Sequence, residues 1–346
     1  MKKTNVCVIG CGRAGMIHAR NYAGGVRGAM LTALCDPFEE NLLAAKEELS
    51  ISKTYKDWHE VMLDPEIDAV IVVTPTQFHK EIVIAAAKAG KHVFCEKPMA
   101  STEEECDAMI EACKQYNVKL QLGFMRRFDK SFQRGKQMLE EGMVGDVTLI
   151  KSNTYGPSEP KEWMYDVRKN YGPIGEVNSH DFDTLRWYAG SEVKMIHAIG
   201  NNFRSKEKAE EYPEYYDTCT VMLEFENGVL GVITGAQYVR YGYDARTEIL
   251  GTKGIIKVGS QSANTAEAVT SDRVIRTDSM DSWRTLFTDA YRAEAQAFID
   301  CIQQDTVPLV TGKDGKMALV LVNEGLRSIL THQPVYLKQG LPEETV

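Results

Sequence analysis

The sequence predicts two domains of different class: an α/β domain with a parallel sheet, and after it an α+β domain built on a large, mainly antiparallel sheet. Three observations carry this reading. The first is the start of the chain, where the apolar run Val6-Cys7-Val8-Ile9 meets Gly10-Cys11-Gly12-Arg13-Ala14-Gly15. The second is regular alternation of strand and helix patterns up to about residue 122, which means parallel strands joined by helical crossovers. The third is a change after Phe124 to longer strands, two of them joined by the turn Glu226-Asn227-Gly228.

In order, the first part reads as strand 5–9, helix 13–24, strand 30–35, helix 38–49, strand 69–73, helix 79–89, strand 91–95, helix 102–116 and strand 118–122. The run Ala69-Val70-Ile71-Val72-Val73 is apolar throughout, as a central strand covered on both faces requires. The second part reads as strands near 146–155, 193–201, 217–226, 229–238, 245–250, 254–258 and 271–276, with helices near 129–141, 178–189, 286–303 and 314–331. Gly156–Gly175, Arg204–Tyr216 and Gly259–Asp281 read as loops, the last two as candidates for disorder. The domains are therefore expected at 1–123 and 124–346, with the last helix free to pack back on the first.

Composition narrows the function classes. A chain of 346 residues, 43% hydrophobic and 26% charged, is long enough for two well-packed cores. Its net charge of −9 argues against nucleic acid or an anionic membrane as partner and leaves small neutral ligands open. No apolar run reaches the roughly 18 residues of a membrane span, and Met1-Lys2-Lys3 leads straight into a strand, so a cytoplasmic protein is expected. The eight cysteines contain no C-x-x-C pair and several sit in apolar strand patterns, which suits buried thiols in a reducing compartment and no metal site.

The glycine loop predicts a dinucleotide. Gly10 permits the tight strand-to-helix turn, Gly12 lets the backbone approach a pyrophosphate, and Gly15 lets helix and strand pack closely. The N–H groups opening the helix, at Arg13 and Ala14, face the phosphates. Asp36 ends the next strand, placed to accept two ribose hydroxyls and to repel a 2′-phosphate, so the expected cofactor is NAD rather than NADP. In such a sheet ligands gather at the carboxyl ends of the strands, which puts Gly10, Asp36, Thr74 and Glu96 on one rim.

Two further constellations carry chemistry. Cys95-Glu96-Lys97-Pro98 puts a lysine at a strand end on that rim. Pro98 holds Lys97 extended, permits a cis bond, and aims the ammonium at one place. The stretch Gly172-Pro173-Ile174-Gly175-Glu176-Val177-Asn178-Ser179-His180-Asp181-Phe182-Asp183 enters a helix through glycines and proline. Glu176 and His180 are four apart and His180 and Asp183 three apart, so one helix face is expected to carry all three.

These segments, with Thr74-Pro75-Thr76-Gln77-Phe78-His79 and Gly123-Phe124-Met125-Arg126-Arg127-Phe128-Asp129, resemble the glucose–fructose oxidoreductase/inositol dehydrogenase/rhizopine catabolism (Gfo/Idh/MocA) family over essentially the whole chain. The Phe-Met-Arg-Arg stretch looks most like the inositol 2-dehydrogenase branch. The resemblance implies a Rossmann domain followed by an open-faced sheet that supports dimers or tetramers, and hydride transfer from a secondary alcohol of a polyol or sugar to NAD. It implies that His180 is the general base and that Lys97 stabilises the oxygen, with Glu176 as the third member of the catalytic group, within reach of Lys97 or a hydroxyl. Arg126 and Asp183 then hold substrate hydroxyls, with Asn153, Tyr155 and, from strand position alone, Tyr238 as weaker candidates. Thr74, Pro75, Thr76, His79, Glu96, Lys97 and Arg126 join the glycine loop around the cofactor. The chain departs from the family at Glu176, where Asp is usual four residues before the histidine; the extra methylene bears on the substrate more than on the reaction. A pyranose or glycoside dehydrogenase is the alternative within enzymes. A non-catalytic NAD-dependent sugar sensor stands further off, because Lys97 and His180 are both present, and a hydrolase using NAD transiently, which would release free sugar without net NADH, stands further still.

Overall fold

The computed structural model describes residues 3–337. Six strands alternate with five helices at the start: β1 (Thr4–Ile9), α1 (Arg13–Ala23), β2 (Ala29–Cys35), α2 (Glu39–Leu49), β3 (Thr54–Tyr55), α3 (Trp58–Leu63), β4 (Ala69–Val72), α4 (His79–Lys88), β5 (His92–Cys95), α5 (Glu103–Gln115) and β6 (Leu120–Leu122). There follow α6 (Lys130–Glu140), β7 (Val147–Gly156), α7 (Val167–Asn170), α8 (Pro173–Glu176), α9 (Ser179–Ala189), β8 (Val193–Asn201), β9 (Thr218–Phe225), β10 (Leu230–Gln237), β11 (Asp244–Gly251) and β12 (Ile255–Val258). The chain continues with β13 (Ala268–Val269), β14 (Ile275–Arg276), α10 (Trp283–Leu286), α11 (Thr288–Gln304), α12 (Gly312–Thr331) and β15 (Val335–Tyr336). It divides into two compact units, one running to Asp129 and including Thr288–Leu319, the other formed by Lys130–Phe287 and the chain from Val320.

The first unit is a six-stranded parallel sheet in the order β3-β2-β1-β4-β5-β6. The strand order reverses between β1 and β4, and a ligand crevice forms at such a switch point. All of β4 is buried, as its apolar run predicts. Helix α1 begins at Gly12 without a side-chain cap and turns Gly15, His18, Ala19 and Tyr22 inward, the spacing of a helix face laid on a sheet. It stops at Gly24, and Gly25 follows at φ +101°. In α5, Thr102 caps the first turn by accepting from Glu105 N–H at 3.3 Å.

The boundary differs from the expected 123/124 division, because α11 belongs to the first unit. Ala295, Phe298 and Ile299 pack with Val8, Ala19, Leu34, Ile71 and Phe94 in its core. The start of α12 also joins this unit, with Lys316 Nζ 2.7 Å from Asp107. A helix amphipathic in sequence shows that it needs a surface but not which surface, so the assignment of α11 was not legible. The short β3 and α3 were missed for lack of a periodic pattern.

The second unit carries a seven-stranded sheet in the order β12-β11-β7-β10-β9-β8-β15, antiparallel except where β10 runs parallel to β7. Gly228, at φ +83°, closes the β9–β10 hairpin. One face, with Ile196, Val221, Leu223, Ile233, Ile150 and Ile249, is buried. The other keeps large apolar groups exposed: Ile199, Met222, Leu230, Leu250 and Ile255. The stretch Arg204–Tyr216 is packed rather than disordered, with Ser205, Tyr215 and Tyr216 buried and the Arg204 guanidinium 2.9 Å from Asp217. Within Gly259–Asp281 the strand expected over 271–276 is a small hairpin, β13 with β14.

Candidate active site

In the first unit the glycine loop has the shape the sequence predicts. Gly10 sits at φ +98°, and a Cβ there would lie 2.6 Å from Val73 O. A Cβ on Gly15 would lie 1.8 Å from Gly10 O, so α1 approaches β1 more closely than any side chain allows. At Gly12 a Cβ would meet nothing within 4 Å, which leaves room for a pyrophosphate beside the first-turn N–H groups of α1 at Arg13 and Ala14.

Asp36 is buried at 4% exposure, and its carboxylate is oriented from three directions. Oδ2 accepts from Cys11 N–H at 2.7 Å, while Oδ1 accepts from Phe38 N–H at 2.9 Å and from Asn41 Nδ2 at 3.1 Å. Asp36 thus braces the glycine loop, and of the about four acceptor sites of a carboxylate about one stays open to a ribose hydroxyl. The Thr74 hydroxyl, at the end of β4 next to Gly10, is buried with no hydrogen-bond partner among the described residues. A buried hydroxyl without a protein partner in that position suits a bound ligand group. Together these features fit a dinucleotide.

Pro75 and Thr76 lead into a short 3₁₀ turn, Thr76–Phe78, ahead of α4. His79, expected at the cofactor, is instead 1% exposed and enclosed by backbone: Nε2 is 2.8 Å from Thr74 O, and Nδ1 is 3.0 Å from Pro98 O and 3.4 Å from Cys95 Sγ. Burial holds its pKa below the usual histidine value, against the pull of those carbonyls. A neutral ring donates from one nitrogen, and the shorter contact assigns that proton to Nε2. His79 therefore joins the turn after β4 to the turn after β5 and does not present its ring as a ligand.

Lys97 is half-buried, and its bond to Pro98 is cis. Glu96 accepts from Lys97 N–H through Oε2 at 3.0 Å, and its Oε1 lies 2.8 Å from His18 Nε2. Arg126, in the 3₁₀ turn Met125–Phe128, is 1% exposed. Its neighbour Arg127 bonds Asp314 at 2.8 Å and Leu309 O at 3.1 Å, which ties that turn to the start of α12.

In the second unit, His180 and Asp183 lie one turn apart on α9, at 8% and 0% exposure. Asp181, between them, anchors the helix to the sheet by accepting from Ser152 Oγ at 2.5 Å, Thr154 Oγ1 at 2.7 Å and Asn178 Nδ2 at 2.7 Å. Asn178 fits because position 235 is glycine: a Cβ there would fall 1.8 Å from Asn178 Oδ1. Sequence reading missed this anchor, although polar residues at 152 and 154, two apart within a strand, were a signal for it.

Three expectations need correction here. Glu176 is not on the helix of His180: it closes the separate turn α8, α9 starts at Ser179, and its side chain is exposed. The Asn178 N–H reaches back to Pro173 O at 3.1 Å, which breaks the expected single helix face. Asn153 and Tyr155 point away from α9, because Ser152 and Thr154 occupy the face that meets it and side chains alternate along a strand. Tyr155 OH instead pairs with Thr234 Oγ1 at 2.7 Å. Tyr238 lies just beyond β10 at φ +59°, its hydroxyl accepting from Arg240 at 3.1 Å.

Comparison with known proteins places these features in a family. Residues 4–124 match the model described as an oxidoreductase family with an NAD-binding Rossmann fold, and residues 136–337 match that family's C-terminal alpha/beta domain. The chain is 37% identical to myo-inositol 2-dehydrogenase of Thermotoga maritima, covering 96% of this chain and 98% of that one. It is 32% identical to the scyllo-inositol 2-dehydrogenase (NAD(+)) of Bacillus subtilis, covering 95% of each. Among solved structures, scyllo-inositol dehydrogenase of Lactobacillus casei with bound NAD(H) and scyllo-inositol matches with TM-score 0.89 at 29% identity, over 97% of this chain and 99% of that one. The chain belongs to the Gfo/Idh/MocA oxidoreductase family, with its NAD-binding Rossmann domain and C-terminal alpha/beta domain both represented.

Proposed function

We propose that this protein is an NAD-dependent dehydrogenase that oxidises a secondary ring hydroxyl of an inositol or a similar polyol to a ketone. The observation that carries the reading is the combination of the glycine loop braced by Asp36 with nearly full-length similarity to inositol 2-dehydrogenases. Bound NAD supplies the hydride acceptor. His180 takes the hydroxyl proton, and the Lys97 ammonium stabilises the negative charge that grows on the oxygen as the C–H bond breaks. Arg126 and Asp183, both buried, bind substrate hydroxyls through charge-assisted hydrogen bonds. Glu176, exposed and one methylene longer than the residue usual in the family, acts in selecting among substrates.

The test is NADH absorbance with myo-, scyllo- and chiro-inositol, glucose and alkyl or aryl glucosides. Lys97→Ala and His180→Ala should each lower turnover by about 10² or more with NAD binding nearly intact. Wild-type turnover in either removes that residue from the mechanism. A rate confined to glucosides would replace the inositol reading with the pyranose reading that Glu176 keeps open.

The exposed apolar groups on one face of the second sheet favour a homo-oligomer, dimer or tetramer, that covers them. Leu230→Glu, at the start of the central strand of that face, should lower the mass measured by light scattering. Among the described residues no helix is long and apolar enough to cross a membrane, and all eight cysteines are buried and free, which suits a reducing cytoplasm.

A further inference from the structure

His18 lies at an inward position of α1, where an apolar residue is the ordinary occupant. It is 1% exposed, packed against the rings of Phe94 and Tyr291 at centroid distances of 4.9 and 5.7 Å. A buried imidazole among aromatic rings needs a polar partner, and its partner is Glu96 Oε1 at 2.8 Å. The other oxygen of the same carboxylate accepts from Lys97 N–H at 3.0 Å. Gly123 leaves the space this carboxylate occupies: a Cβ there would stand 2.9 Å from both Cδ and Oε2 of Glu96. The carboxylate is thus bonded from α1 through His18 and seated against the end of β6, and it holds the backbone of the residue to which the reaction assigns oxygen stabilisation.

We infer that His18 is a positioning residue for the dehydrogenase reaction, acting through the Glu96 carboxylate on the placement of Lys97. This rests on the reading of Lys97 given above. His18 touches neither substrate nor cofactor in this role; it sets the tilt of the carboxylate, and the carboxylate sets where the Lys97 backbone starts. An imidazole suits the task because its rigid ring spans from the helix to the carboxylate and holds one donor in a fixed direction.

The test compares His18→Leu, which removes the donor but fills the apolar site, with His18→Gln, which restores an N–H, and with Gly123→Ala, which displaces the same carboxylate from another element. Since misplacement of a reacting group by about 1 Å costs on the order of 10² in rate, His18→Leu and Gly123→Ala should each lower kcat about tenfold or more, with NAD affinity changed less than about threefold. His18→Gln should recover most of the rate. In the Lys97→Ala background, His18→Leu should cost little further, because the two act as a unit. Folded His18→Leu and Gly123→Ala proteins with wild-type kcat would overturn the inference, as would full additivity with Lys97→Ala. If His18→Leu does not fold, Gly123→Ala decides alone. Wild-type turnover by Lys97→Ala itself is the separate result that removes the reading beneath.

Discussion

Truncating Asp181 tests whether α9 is held to its sheet by one buried carboxylate. Asp181→Ala removes the acceptor of three hydrogen bonds, from Ser152, Thr154 and Asn178, at a site with 0% exposure. A buried donor left without its acceptor costs about 1–3 kcal/mol. Part of that is recovered, because Ser152 Oγ also lies 3.0 Å from Thr247 Oγ1 and 3.3 Å from Arg246 O, and Asn178 Nδ2 lies 3.4 Å from Thr234 O. The expected loss is therefore about 3–5 kcal/mol, a large share of the roughly 5–15 kcal/mol that holds a domain folded. Asp181→Asn keeps one acceptor oxygen and should lose roughly half as much. Urea unfolding at neutral pH, followed by circular dichroism, should show a lower midpoint at similar slope. NAD affinity is the internal control, since Asp36 and the glycine loop belong to the other unit, and should stay within about twofold. Turnover should fall with the anchor, because His180 is the adjacent residue. A loss below about 1 kcal/mol for Asp181→Ala would refute the reasoning, as an ordinary surface substitution costs no more.

Three other outcomes follow from the site. Asp36→Ser removes both the ribose acceptor and the brace on Cys11 N–H, so NAD affinity should fall about 10–100-fold while NADP improves relative to it; an unchanged ratio in steady-state kinetics would mean that the acid does not face the ribose. Glu176→Asp should alter the relative rates across inositols and sugars, and an identical substrate profile would exclude Glu176 from selection. Burial lowers the pKa of His79 in the folded state below its ordinary 6.5, so below that pH the unfolded chain binds more protons. His92 is shifted the same way by burial, and stability should decline as pH falls from 7.5 to 5.5. His79→Gln should flatten the decline in the urea midpoint, whereas a midpoint that rises on acidification would contradict the sign.

The parts of the fold that were legible are those in which one residue type has one physical use. Gly10 and Gly15 stand where φ or a close backbone approach forbids a side chain, and the apolar run of β4 has no place except the middle of a parallel sheet. Asp36 was legible as the acid after β2, but its brace on Cys11 was not, since that contact depends on how the glycine loop folds back. Glu176 was misplaced because spacing of four describes a helix face only if the helix is continuous, and the chain resets between Val177 and Ser179. Asn153 and Tyr155 lie on the strand that anchors α9, but a strand changes face at each residue, and a resemblance that names the strand does not say which face a side chain takes. His18 carried a signal in plain view, a histidine on the apolar stripe of α1, yet its partner is distant in sequence, and no local pattern names it.

The membership of α11 in the first unit also sets an order of events during synthesis. Ala295, Phe298 and Ile299 cannot reach the core beside β1 and β4 until residues 130–287 have been made. At roughly 5–20 residues per second, a growing chain carries an incomplete nucleotide-binding sheet for on the order of ten to thirty seconds, with the surface that α11 will cover exposed to chaperones and to other nascent chains. A fragment cut after Asp129 would keep that uncovered surface permanently, so the Rossmann unit of this protein is not a separable cassette, and grafting it onto another enzyme requires carrying Thr288–Leu319 along.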